Sequence, residues 1–106
     1  MDNNAAVEKE IQDKGLTAPR ITPARIAEVI RKSEYHVFPD SQLTVCVLTL
    51  QNGFNVTGES ACASPENFDE ELGQKIAYRN AEAKIWALEG YVLKQKLFDE
   101  QSKAPA

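Results

Sequence analysis

The chain is poor in the residues that build reactive or metal-holding centres. It has one histidine, two cysteines, one methionine and one tryptophan among 106 residues. Two cysteines and one histidine do not supply the four ligands of a structural zinc site, and Cys46 and Cys62 lack C-x-x-C spacing. No metal or cofactor is expected. Basic residues are outnumbered, 12 Lys and Arg against 16 Asp and Glu, for a net charge of -4. That balance does not give the positive footprint of a nucleic-acid-binding domain. No apolar run approaches the roughly 20 residues that cross a bilayer, and residues 1–14 contain no secretion-signal core. The expected setting is a reducing compartment with both thiols free. Walker loops, Rossmann glycine patterns and H-E-x-x-H are all missing, as are internal repeats.

What is present fits one small soluble domain. Hydrophobic residues make up 42% and charged residues 26%, ordinary values for a globular chain. Residues 1–20 are mixed in charge and broken by Lys14-Gly15 and Ala18-Pro19, so they read as a flexible N-terminal arm. A short helix within 4–13 would have little to bury. The domain is expected over 21–98, and 99–106 reads as a frayed tail.

Thr22-Pro23 starts a helix, with Thr22 as cap and Pro23 in the first turn. Ile26, Val29 and Ile30 make its apolar stripe, so the spacing predicts a helix over 23–33. Tyr35 to Phe38 is extended and stops at the turn signal Pro39-Asp40. Residues 43–50 are apolar and rich in β-branched side chains, and Asn52-Gly53 is a strong hairpin signal. A two-residue turn there pairs Thr49 with Val56, Val47 with Gly58 and Cys46 with Glu59. Leu43, Val45, Val47, Phe54 and Val56 then share one face; Cys46, Leu48 and Leu50 share the other. Both faces of this strand are apolar, which predicts a sheet covered on both sides.

A long helix should follow to about Phe98, started by Ser64 with Pro65 or by Asn67 with Glu70. Its wheel carries two apolar faces. Leu72, Ile76, Ala83, Trp86, Ala87, Gly90 and Leu97 form one; Ala77, Ala81, Ile85, Leu88 and Val92 form the other. Two stripes imply burial on two sides, one against the sheet and one against a partner helix. Gly73, Ala77 and Ala81 would allow close approach. The predicted fold is therefore α+β: a short N-terminal helix, a small antiparallel sheet built on the 43–62 hairpin, and a long C-terminal helix. That helix packs on the sheet and on a partner subunit, most simply in a homodimer.

Arg79 falls inside the first apolar face, and Asn80, Lys84 and Tyr91 fall in the seam between the two. A polar seam on a buried helix must find partners. One solution is internal, with Arg79 on a sheet carboxylate such as Glu59 and Asn80 on a strand carbonyl. The other is an anion or nucleotide pocket, with Arg79 and Lys84 on phosphate and Asn80 on a base or ribose. Arg79, Asn80, Lys84 and Tyr91 are accordingly the candidate ligand-binding residues. His36 has no partner motif nearby and reads as a packing residue. Cys46 lies in an apolar strand and reads as an inert thiol, and Ser60 is not in a nucleophile elbow. No catalytic residue is assigned, and no enzymatic activity is expected.

The ordered blocks Thr22-Pro23-x-Arg25-Ile26, Glu34-Tyr35-His36-x-Phe38 and Leu43-Thr44-Val45-Cys46 are distinctive. So are Leu50-x-Asn52-Gly53-Phe54-x-Val56-x-Gly58-x-Ser60-Ala61, Asn67-Phe68-Asp69, Gly73-x-Lys75-x-Ala77 and Ile85-Trp86-x-Leu88-Glu89-Gly90-Tyr91. Together they resemble a family of small tailed-phage proteins named after gene product forty-nine of phage N-four and its lambdoid-phage relatives. The resemblance implies a phage or prophage origin and a host-cytoplasm location; it brings no mechanism and no catalytic residues. The layout alone also looks like that of some phage proteins that sequester cyclic nucleotide signals. The expected function is a non-enzymatic phage accessory protein that binds and inhibits a host component. The alternative is an oligomeric binder that sequesters a nucleotide-type signal. Expected partners are a second copy and a host protein or small nucleotide, with no membrane and no nucleic acid.

Overall fold

The computed structural model describes residues 3–16 and 18–102. Position 17 of the expected arm, residues 1 and 2, and positions 103–106 of the expected tail lie outside the described residues. Helix α1 (Asn3–Asp13) comes first, then α2 (Pro23–Val29), strands β1 (Ile30–Val37), β2 (Leu43–Leu50) and β3 (Asn55–Ala61), and helix α3 (Glu70–Ser102). The sheet is antiparallel in the order β1-β2-β3. The α+β class and the long C-terminal helix are as the sequence predicts.

Helix α1 ends in a Schellman turn. Gly15 takes φ +69°, its N–H donates to Gln12 O, and Leu16 N–H donates to Ile11 O. Two parallel hydrogen bonds from Arg20 to Glu8 then fasten α1 to the chain that follows it. The expected arm thus contains a helix tied to the chain that follows it.

Helix α2 is shorter than the predicted 23–33. Thr22 caps it by accepting from Arg25 N–H, but it stops at Val29. Its last carbonyls are claimed from the hairpin: Gln51 N–H donates to Val29 O and Gln51 Nε2 to Glu28 O. The chain from Ile30 onward instead pairs with β2, with one irregularity between Ile30 and Lys32. Tertiary pairing here overrides a helical stripe.

The hairpin register also differs from the predicted one. Asn52-Gly53 is not a two-residue loop. Gly53 N–H donates to Leu50 O, Leu50 N–H donates to Phe54 O, and Gly53 takes φ +90°. This is a three-residue loop with a left-handed residue at its end. Leu48 therefore pairs with Val56, Cys46 with Gly58 and Val45 with Glu59. A one-residue slip reverses every side chain: Val56 joins Leu48 and Cys46, not Val45 and Val47. The physical reason lies at Gly58. A Cβ there would come within 2.2 Å of Ala77 O and Ala81 N. In the predicted register Thr57 and Glu59 would have been pressed against the helix instead.

The core is one layer between the sheet and the helices. Ile26 and Val29 of α2, Cys46, Leu48 and Leu50 of β2, Val56 of β3, and Ala77, Ala81 and Ile85 of α3 form it. Helix α3 begins at neither predicted cap. Pro65–Asn67 is a separate 3₁₀ turn, and Asp69 caps α3 by accepting from Leu72 N–H. Of the two predicted apolar faces, the one with Ala77, Ala81 and Ile85 is buried on this chain's own sheet. Gly73 sits beside Thr44, and Ala77 and Ala81 sit over Gly58, so the small-residue stripe serves the sheet and not a partner helix. On the other face Leu72, Ile76, Ala83 and Ala87 are exposed, and Trp86 is half-covered.

Candidate functional site

Helix and sheet differ in length. Thirty-three residues of α3 make a rod of about 50 Å, whereas the strands of 7 and 8 residues span about 25 Å. Crossing the sheet therefore leaves the C-terminal part of α3 projecting past the hairpin tip. The molecule measures 63 × 32 × 21 Å. Between the tip and the projecting helix lies an open groove of about 740 Å³. Its apolar wall comes from Leu50, Phe54 and Val56 on the hairpin and Ala87, Leu88 and Val92 on α3. Asn52, Asn55, Thr57, Lys84, Glu89 and Tyr91 complete it.

The four sequence-predicted residues separate here. Lys84 and Tyr91 line the groove. Asn80 does not; its Nδ2 donates to Glu59 O at 2.7 Å, the strand-carbonyl contact that the internal reading foresees. Arg79 is exposed and makes no bond to the Glu59 carboxylate. It lies five residues before Lys84, which at 100° per residue turns it about 140° around the helix. The two residues assigned to phosphate in the nucleotide reading, Arg79 and Lys84, are therefore not brought together. The groove's cation, Lys84, also shares the wall with Glu89, whose Oε1 accepts from Arg25 Nε at 2.8 Å.

The groove was only half legible in the sequence. Phe54 reads there as part of one sheet face with Val45 and Val47, and Leu88 and Val92 as part of a buried stripe. The signal that finds it is the mismatch in length: a helix running on to about Phe98, more than about 40 Å from residue 70, outruns strands of about 25 Å.

A second surface is left open. All three helices lie on the Cys46–Leu48 side of the sheet. The opposite face presents Leu43, Val45 and Val47, half-buried along β2. By register, Lys32, Glu34 and His36 flank them on β1, and Thr57, Glu59 and Ala61 on β3. His36 packs edge-on against Phe38, with ring centroids 4.5 Å apart at 87°. The face is an apolar ridge with a polar border.

Other reactive groups are quiet. Cys46 is fully buried, and burial pushes its thiol pKa up, which disfavours the thiolate. Burial likewise raises the pKa of Tyr35 and Tyr78. Both cysteines are free. Among the described residues no group of three or more His, Cys, Asp or Glu side chains could hold a metal ion, and no helix is long and apolar enough to cross a membrane.

The phage protein (N4 Gp49/phage Sf6 gene 66) family model matches residues 21–97. The chain belongs to this family. The match takes in α2, the whole sheet and nearly all of α3, including the groove and the open face, while α1 precedes it. Neither the curated proteins nor the solved structures contain a match to the chain.

Proposed function

We propose that this phage protein acts by binding and inhibiting a protein of the bacterial host, without catalysis, in the cytoplasm where phage proteins are made. The observation that carries this reading is the open face of the sheet. An apolar centre with a polar rim is the anatomy of a protein-binding surface, and Leu43, Val45 and Val47 bordered by Lys32, Glu34, Thr57 and Glu59 have that arrangement. An open three-stranded face suits another protein better than a small molecule, which needs a concave site. Controlled expression of the protein in host cells is expected to slow growth or suppress a defence response. Val47→Glu, which puts a charge on the ridge, is expected to abolish that effect at equal protein level. An effect unchanged by Val47→Glu would contradict the reading.

The groove favours a second reading, sequestration of a nucleotide-type signal. It has the volume of a ligand site, with Lys84 and Tyr91 in its wall. A thermal-shift panel of nucleotides and cyclic oligonucleotides tests it. A ligand at a hundred times its Kd stabilises by roughly 2.7 kcal/mol, and Lys84→Ala is expected to remove the shift. A flat panel leaves host-protein binding as the function.

A further inference from the structure

The sheet-facing stripe of α3 does not stop where the sheet does. After Ile85 it runs on through Leu88 and Val92, 39% and 60% exposed, with Tyr91, 72% exposed, at its edge. Lys84, Leu88, Tyr91, Val92, Gln95 and Asp99 lie within about 50° of one direction around the helix at 100° per residue, so they share one side of it. We propose that this stretch pairs antiparallel with the same stretch of a second copy, about a twofold axis beside Tyr91 and Val92.

Charge complementarity fixes the occupant and its direction. In an antiparallel twofold pair, positions mirrored about the axis meet. Leu88 then meets Gln95 of the partner subunit, Tyr91 meets Val92 of the partner subunit, and Lys84 meets Asp99 of the partner subunit. Within the chain neither Lys84 nor Asp99 makes an ion pair among the described residues; Asp99 only accepts from Gln95 Nε2, at 2.9 Å. A parallel pair would set lysine against lysine. The area also fits. With Phe54, these side chains leave on the order of 500 Å² uncovered per chain, so mutual burial removes roughly 1,000 Å², near the lower bound of a specific interface. The shape agrees: the radius of gyration is 17.5 Å, against about 13 Å for a compact chain of 100 residues. The pairing leaves the open sheet face free, so it stands or falls separately from host binding.

Light scattering on the full chain is expected to give twice 11.8 kDa. Tyr91→Glu with Val92→Glu is expected to give 11.8 kDa with unchanged circular dichroism, since both side chains are exposed in the single chain. Lys84→Glu alone and Asp99→Lys alone are each expected to raise the dimer Kd about tenfold. Mixing those two variants is expected to restore wild-type affinity, because each then meets its opposite charge in the partner. Fifteen residues of helix, about 22 Å, keep the pair from meeting within one chain. A wild-type mass of 11.8 kDa would overturn the proposal. A dimer indifferent to Tyr91→Glu and Val92→Glu would overturn the interface, and mixing without rescue would overturn the antiparallel register.

Discussion

Gly58 is where the two layers of the molecule come closest. A methyl group added there would lie 2.2 Å from Ala77 O and Ala81 N, and backbone atoms of a buried helix cannot step aside. Gly58→Ala is therefore expected to destabilise the fold by about 3 kcal/mol through overpacking, read as a lowered urea midpoint. Thr44 behaves oppositely. Its hydroxyl is fully buried and makes no hydrogen bond, so Thr44→Val, of nearly the same shape, is expected to stabilise by up to about 1 kcal/mol. Asn80 and Arg79 complete the contrast. Asn80→Ala loses the bond to Glu59 O and is expected to cost about 1 kcal/mol, while Arg79→Ala is expected to change stability by less than about 0.5 kcal/mol. Denaturant titration of the four variants checks all of these. At this scale the sequence was informative about which helix residues are polar. Its internal reading turned Asn80 onto a strand carbonyl, as found, but also turned Arg79 inward, because a wheel gives angle and not which face the sheet takes.

Helix α1 is joined to the chain beyond it by the Arg20–Glu8 ion pair, and that contact depends on pH. The Arg20 guanidinium holds the Glu8 carboxyl down to about 2, first through its hydrogen bonds, with Gln12 Nε2 assisting. A carboxyl whose pKa is depressed by folding contributes stability that is present above its unfolded value and is lost as pH falls through the folded one. The α1 contact is therefore expected to be intact above about pH 5 and to weaken progressively toward pH 2. Amide exchange is expected to show α1 losing protection over that window while β2 keeps its own; Glu8→Gln should give the unprotected pattern at neutral pH. Protection of α1 that does not change with pH would contradict this. Strands β2 and β3, the turn at Pro39-Asp40 and the long helix were legible from β-branching, turn residues and apolar periodicity. Helix α2 was overextended because Ile30 fits both a helical stripe and a strand, and only pairing with Leu50 decides between them. The hairpin slipped by one residue because Asn-Gly suits a two-residue loop and also the end of a three-residue one; the choice is made by Gly58 under α3.

The whole molecule is a one-sided sandwich whose uncovered surfaces include the ridge of Val45 and Val47 and the projecting end of α3. The sequence predicts surplus apolar surface, since β2 is apolar on both faces and α3 on two sides. It could not say where that surplus would lie, because this depends on which face of each element the chain itself consumes. Helix α3 spends its alanines on Gly58 and leaves its larger side chains, Leu88, Tyr91, Val92 and Phe98, beyond the hairpin tip. If the projecting helices pair and the ridge binds the host, lesions on the two surfaces must have separable effects. The most direct test immobilises the full chain beside two variants, Val45→Lys with Val47→Glu and Tyr91→Glu with Val92→Glu, each shown to be folded, and titrates host lysate over all three. The account predicts one host protein retained saturably by the wild type and by the helix variant, lost by the ridge variant, and inhibited by the wild type when purified. A host protein retained equally by the ridge variant, or none retained by the wild type, would contradict it.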